Sequence, residues 1–179
     1  MEDLEKWIDY FEDNIINLED LRFEQSTGLA LRNANAISKD QLSSIIEWRF
    51  GDKKHYFSRV SRILESVDDQ EIKEVTRTAL ALSLDYYKMT LLCAIPGVGP
   101  VLASIILALY NPHEYGIFDR EVWNQLFPDE KADMSVEGYL RMLEGLRKLS
   151  KDYKVPVRVI GQALLTYASY SKTHDDLAQ

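Results

Sequence analysis

Apolar residues recur along most of the chain at three- and four-residue spacing, and strict alternation is scarce, so the pattern predicts helices rather than strands. Leu4, Trp7, Ile8, Phe11 and Ile15 form one such stripe, which predicts an amphipathic first helix. Residues 22–37 are less regular. Ser38 with Gln41 three positions on is a capping-box signal. The helix it opens carries Leu42, Ile45, Ile46 and Trp48 and stops near Gly51. A further helix covers Tyr56–Ser66. Asp68 or Asp69 caps the next, which runs towards Ala81, and Ser83 caps one that ends before Pro96. Val101–Tyr110 is helical and is stopped by Asn111-Pro112. Asp119 is placed to cap a short helix through Gln125. Ser135, with Gly138 at its third position, opens one to about Lys151, and Pro156 suits the first turn of a last helix ending near Ser171. The tail Lys172–Gln179 is expected to fray. The sum is eight to ten helices in an all-α domain spanning 1–179. Its parts are an N-terminal helical segment (1–37), a core (38–127) with a tight hairpin at 95–100, and C-terminal helices (128–179).

The chain has 179 residues, enough to bury a core without disulfides or metal. Its single cysteine, Cys93, excludes a disulfide within the chain and a four-cysteine zinc or iron–sulfur site. His55, His113 and His174 are far apart and form no local metal-ligand pair. The acidic start MEDLEKWIDYFEDN is unlike a secretory signal, and the longest apolar run, near Val101–Tyr110, is too short to span a bilayer. The expectation is a soluble, cytoplasmic chain, monomeric and without a membrane partner. The net charge of −8 argues against nucleic acid on its face, since phosphates are neutralised by Lys and Arg. Much of that excess lies in residues 2–24, however, and binding depends on where charge sits.

The most informative stretch is LLCAIPGVGPVLASIILALYNPHEYGIFDREVWNQLF, Leu91 to Phe127. Two apolar helices meet at Ile95-Pro96-Gly97-Val98-Gly99-Pro100. Gly97 and Gly99 are free to take positive φ and admit a close backbone. The first N–H groups of the second helix lack intrahelical partners and point outward, where a phosphate oxygen can accept from them. Pro100 has no N–H and fits the first helical position. Such a turn binds phosphate without lysine.

This stretch resembles the helix–hairpin–helix DNA glycosylases, whose motif runs LPGVGxxxA, an apolar helix and a short loop ending in Asp. In the endonuclease III and adenine glycosylase branches the aspartate follows the first hairpin glycine by the same 22 residues that separate Gly97 from Asp119, and Ala103 matches the motif alanine. The match covers about residues 88–127. The resemblance implies a two-lobed all-α fold with a cleft between the lobes, a double-stranded DNA partner gripped by Gly97, Val98, Gly99 and Pro100, and a nucleotide flipped into the cleft. It implies that a carboxylate at Asp119 stabilises the positive charge developing on the sugar during base excision. A monovalent cation held by hairpin carbonyls belongs to the same picture.

Departures from the family pattern refine the expectation. Bifunctional members carry a Schiff-base lysine where Val101 stands, and Lys88 does not match it, so no lyase activity is expected. The family's C-terminal Cys₄ cluster is absent, and Pro100 replaces an Arg of many relatives. The expected activity is that of a monofunctional glycosylase acting on a damaged, modified or mispaired base. The alternatives are a catalytically inactive DNA- or protein-binding module of the same fold, and a helical adaptor in which IPGVGP is merely a turn.

Other residues carry two readings each. Asp119 taken without the hairpin is more simply read as a helix cap. Trp48, Tyr87, Arg120 and Trp123 are candidates for the pocket or wedge, with Tyr56 and Tyr86 as further stacking candidates. Core packing is the plainer reading for the aromatics and a surface ion pair for Arg120. Lys53, Lys54, His55 and Arg59 either grip phosphates or form a solvated loop. Arg141, Arg147, Lys148, Lys151 and Lys154 either face DNA or pair with Glu137 and Glu144 on their own helix. Cys93 is read as a buried small side chain and His113 and Glu114 as surface loop.

Overall fold

The computed structural model describes residues 4–13 and 18–177, with side chains described for 4–10 and 18–171. Phe11 and Ile15 of the predicted stripe, and the side chains of the tail from residue 172 onward, lie outside that description. Among the described residues there are ten helices and no strand, so the chain is all-α. They are α1 (Leu4–Asp13), α2 (Leu18–Ala34), α3 (Lys39–Phe50), α4 (Lys54–Glu65), α5 (Asp69–Ala81), α6 (Asp85–Leu92), α7 (Pro100–Tyr110), α8 (Arg120–Leu126), α9 (Val136–Tyr153) and α10 (Val157–Leu177).

Local chemistry sets most of their starts. The Ser38 hydroxyl accepts the Gln41 N–H at 3.2 Å while the Gln41 side chain accepts the Ser38 N–H at 2.8 Å, completing the capping box of α3. Asp68, rather than Asp69, caps α5 by accepting from the N–H groups of Gln70 and Glu71. Asp69 instead accepts the Lys39 N–H at 2.7 Å, which ties the start of α3 to the start of α5. Ser135 accepts the Gly138 N–H and opens α9.

Three expectations are corrected. Residues 18–34, which the pattern leaves irregular from 22 on, form the continuous helix α2. Only Gly28 and Leu31 of α2 are fully buried, so it has no broad apolar stripe to betray it. What holds it is tertiary. A Cβ at Gly28 would meet the Leu109 carbonyl oxygen at 2.5 Å, so only glycine permits this approach to α7. Arg32 then donates to the carbonyls of Leu109 and Tyr110 at the end of α7. Second, Ser83 does not cap α6; the N-cap position is Leu84, which offers no side-chain acceptor. Third, α10 extends beyond Ser171 to Leu177. α1 docks on the part of α10 before that point: Trp7 packs against Tyr167 and Tyr170, with ring centroids 5.6 and 5.0 Å apart.

The core is built around α7. Its residues Leu102–Leu109 are all buried, which a helix can satisfy only by being enclosed, and α2, α6 and α9 pack around it. α10 packs on α1, α8 and α9; α3 packs on α4 and α5; α5 packs on α6. The segment between α7 and α8 therefore crosses the middle of the molecule, with Tyr115, Gly116, Ile117 and Phe118 buried. That crossing positions Asp119.

Candidate functional site

Asp119 is held from three directions. On its N-terminal side the Phe118 N–H donates to the Ser104 hydroxyl at 2.8 Å, and that hydroxyl donates in turn to the Val101 carbonyl at 2.7 Å. Ser104 is wholly buried in an otherwise apolar stretch of α7, and it fixes the backbone immediately before Asp119 to the helix that leaves the hairpin. On its C-terminal side Asp119 is the N-cap of α8, its Oδ1 accepting the Glu121 N–H at 2.8 Å. Its other oxygen, Oδ2, accepts from Nη2 of Arg49 on α3 at 2.6 Å. The carboxylate is thus both a cap and one half of an ion pair, and it stays partly open, with 17% of its side chain exposed.

That open side faces a cavity of about 330 Å³ between α2, α3, α8 and α10, within the lower part of the roughly 300–1,000 Å³ range of small-molecule pockets. Asp20, Glu24, Trp48, Arg49, Asp119 and Arg158 are its charged and aromatic lining. The Trp48 ring stacks on Phe23 at 5.1 Å and 21°, and its indole N–H donates to Asp20 at 2.7 Å. Arg158 grips both carboxylate oxygens of Glu24, at 2.6 and 3.0 Å. Two ion pairs therefore cancel within the cavity, and Asp20 adds one negative charge. Arg49 carries one anomaly: its Nε is buried and has no hydrogen-bond partner.

Trp48 and Asp119 line the same cavity. The other three pocket candidates do not line it. Tyr87 is exposed on α6, in edge contact with Tyr86. Arg120 is exposed at the first position of α8. Trp123 is buried, packed on Phe127 with Arg141 over its ring, so it is a core residue of α8 and not a wedge.

The hairpin residues join α6 to α7 outside this cavity. Gly97 has φ +87°, a left-handed conformation that glycine adopts without strain, and a Cβ there would press on Val60 of α4 at 3.2 Å. Gly99 differs from expectation. Its φ is −99°, ordinary extended backbone, and a Cβ there would meet nothing, so neither positive φ nor close approach calls for glycine. Pro100 occupies the first helical position and the first bond within α7 is Ala103 N–H to the Gly99 carbonyl, which leaves the Val101 and Leu102 N–H groups without intrahelical acceptors. For a cation, the Pro96, Gly97 and Val98 carbonyls accept no backbone N–H among the described residues, whereas Ile95 accepts from Val98. No group of three or more His, Cys, Asp or Glu is arranged to hold a metal among the described residues.

The basic candidates divide. Lys53, Lys54, His55 and Arg59 are exposed on and before α4, the helix against which Gly97 packs. Arg141 and Arg147 do not pair along α9. Arg141 binds Glu130 through both carboxylate oxygens, and Arg147 binds Asp85 of α6 and the Glu114 carbonyl. The Asp85 carboxyl is pushed up by burial but held below its ordinary value by hydrogen bonds from Arg147 and Tyr115. Cys93 is partly buried, and desolvation pushes its thiol up to about 11, which leaves it unreactive at neutral pH.

Arg49, Ser104, Asp20, Glu24 and Arg158 are the site residues that sequence reasoning did not single out. Ser104 carried a signal, a lone hydroxyl inside an apolar helix. The others carried none, because each is an ordinary charge on a helix until the fold brings it to the cavity. No family model, no curated protein and no solved structure matches the chain. No helix among the described residues is long and apolar enough to cross a membrane.

Proposed function

We propose that the chain is a monofunctional DNA glycosylase of the helix–hairpin–helix type, two-lobed and cytoplasmic, which hydrolyses the N-glycosidic bond of a flipped nucleotide. The observation that carries this reading is the placement of Asp119 in a ligand-sized cavity beside an aromatic ring, on the chain segment that leaves the hairpin helix. In this reading Gly97, Val98, Gly99 and Pro100 take a DNA phosphate on the free N–H groups of α7, with a monovalent cation on the neighbouring carbonyls. Trp48 stacks on the flipped base. As the base departs with the bonding electrons, Asp119 Oδ2 stabilises the cation left on the sugar, and water completes the hydrolysis. Val101 offers no amine, so the product is an intact abasic site.

A second reading, a binding module of the same fold without catalysis, draws on one specific observation: Asp119 is already neutralised by Arg49 and committed to capping α8. The two readings part in an assay on duplexes carrying uracil, oxidised, alkylated and mispaired bases. Strand cleavage that appears only after alkali and vanishes in Asp119→Asn supports the enzyme. Duplex binding with no cleavage of any substrate supports the module.

A further inference from the structure

Among the partly buried ion pairs of the described residues, Arg49–Asp119 is the one whose guanidinium makes a single hydrogen bond. Arg158 clamps Glu24 through two nitrogens, and Arg147 is fixed by Asp85, by the Glu114 carbonyl and by the Tyr115 ring. Arg49 lies over the Phe50 ring, 5.7 Å from its centroid, but holds a single oxygen of Asp119 through one terminal nitrogen, and its buried Nε–H has no acceptor. A guanidinium in this state gains a partner by moving to a ligand with two acceptor oxygens. The anions already in the cavity do not supply one, since Glu24 is taken on both oxygens and Asp20 is engaged by the Trp48 indole. The carboxylate, by contrast, keeps an anchor when Arg49 leaves, because Oδ1 remains on the Glu121 N–H.

We propose that Arg49 is a phosphate-binding latch: it masks Asp119 in the free protein and transfers to a phosphodiester flanking the bound nucleotide, which exposes Oδ2 to the sugar. The inference rests on the reading of the site as a nucleic-acid pocket. Charge balances in the exchange, as one ion pair is replaced by another and the freed carboxylate charge faces the developing cation. The latch makes the carboxylate available only when a phosphate-bearing ligand is in place, and so disfavours free nucleosides.

The test is a double-mutant cycle on the full chain, reading affinity for a duplex with a tetrahydrofuran abasic-site analogue as a function of salt. Asp119→Asn frees Arg49 in advance, so it is expected to bind roughly three- to tenfold more tightly than wild type, the worth of a partly buried ion pair. Arg49→Gln is expected to lower the slope of log affinity against log salt by about 1, the signature of one lost phosphate contact. In the Arg49→Gln background Asp119→Asn is expected to give no further gain. Arg49→Lys, which keeps the charge, is expected to keep the wild-type slope, and thermal melts of each variant confirm folding. An equal gain from Asp119→Asn in both backgrounds, or an unchanged salt slope in Arg49→Gln, overturns the latch while leaving the proposed function standing. Absence of duplex binding by every folded variant, wild type included, overturns both.

Discussion

Arg49 and Asp119, 70 residues apart in the chain, meet at 2.6 Å between Nη2 and Oδ2 at the edge of a cavity that also holds Trp48. The contact joins α3 to the N-terminus of α8, two helices that share no continuous packing of their own. It gives Asp119 two roles that use different oxygens. Oδ1 serves the fold and Oδ2 faces whatever enters.

The two roles separate by mutation. Asn caps a helix about as well as Asp, so Asp119→Asn is expected to keep the fold and to change unfolding free energy by less than about 1 kcal/mol. The proposed glycosylase activity, which would need the charge, is expected to fall by at least about 100-fold. Urea denaturation and the alkali-cleavage assay measure the two effects. A large stability loss with activity intact contradicts this division.

Ser104 holds the segment that delivers Asp119. Ser104→Ala removes the acceptor of a buried Phe118 N–H and is expected to cost about 1–3 kcal/mol, more than loss of the hydroxyl's own bond to Val101. Because Phe118 precedes Asp119 directly, the proposed activity per folded molecule is expected to drop as well. Denaturant titration paired with single-turnover rates checks both; a neutral variant shows that the loop is fixed elsewhere.

Gly28 sits in a helix, where alanine ordinarily stabilises by up to about 1 kcal/mol. Here the sign is expected to reverse. A Cβ at Gly28 meets the Leu109 carbonyl oxygen at 2.5 Å, and α2 must move away, at a cost of about 1–3 kcal/mol and with loss of the Arg32 contacts. An unfolding midpoint for Gly28→Ala at or above wild type refutes the close approach of α2 to α7.

Asp85 predicts an acid limb in stability. Its carboxyl lies below the ordinary value of 3.8 in the folded chain, against burial, because Arg147 and Tyr115 bond to the ionised form. A depressed folded value stabilises above the unfolded value, and that stability is lost as pH falls through the folded one. Unfolding free energy is therefore expected to decline below about pH 4. In Arg147→Met this part of the decline is expected to flatten, since the folded carboxyl then keeps burial and loses its main partner. Urea titrations from pH 6 to pH 2 on the two proteins make the comparison (roughly the span over which carboxylates titrate).

Helix starts were legible because caps act over two or three residues. Ser38 with Gln41, Ser135 with Gly138, and Asp119 with Glu121 are written in adjacent positions, and the structure realises each in place. α2 was not legible past residue 22, because its hold on the core is one glycine contact and one arginine rather than a stripe. Of the four pocket candidates only Trp48 reached the cavity. Trp123 has the same chemistry, but its position on α8 turns it inward.

From local order alone come the all-α class, most helix limits, the Gly97 turn with its left-handed φ and the cap at Asp119. These rest on interactions between near neighbours in the chain, so neighbouring residues suffice to specify them. The cavity, the Arg49 partner of Asp119, the Glu24–Arg158 clamp across 134 residues and the enclosure of α7 come from packing. Burial of apolar faces is non-directional and joins segments regardless of their separation, so which charges it brings together is decided only when the helices have found their places.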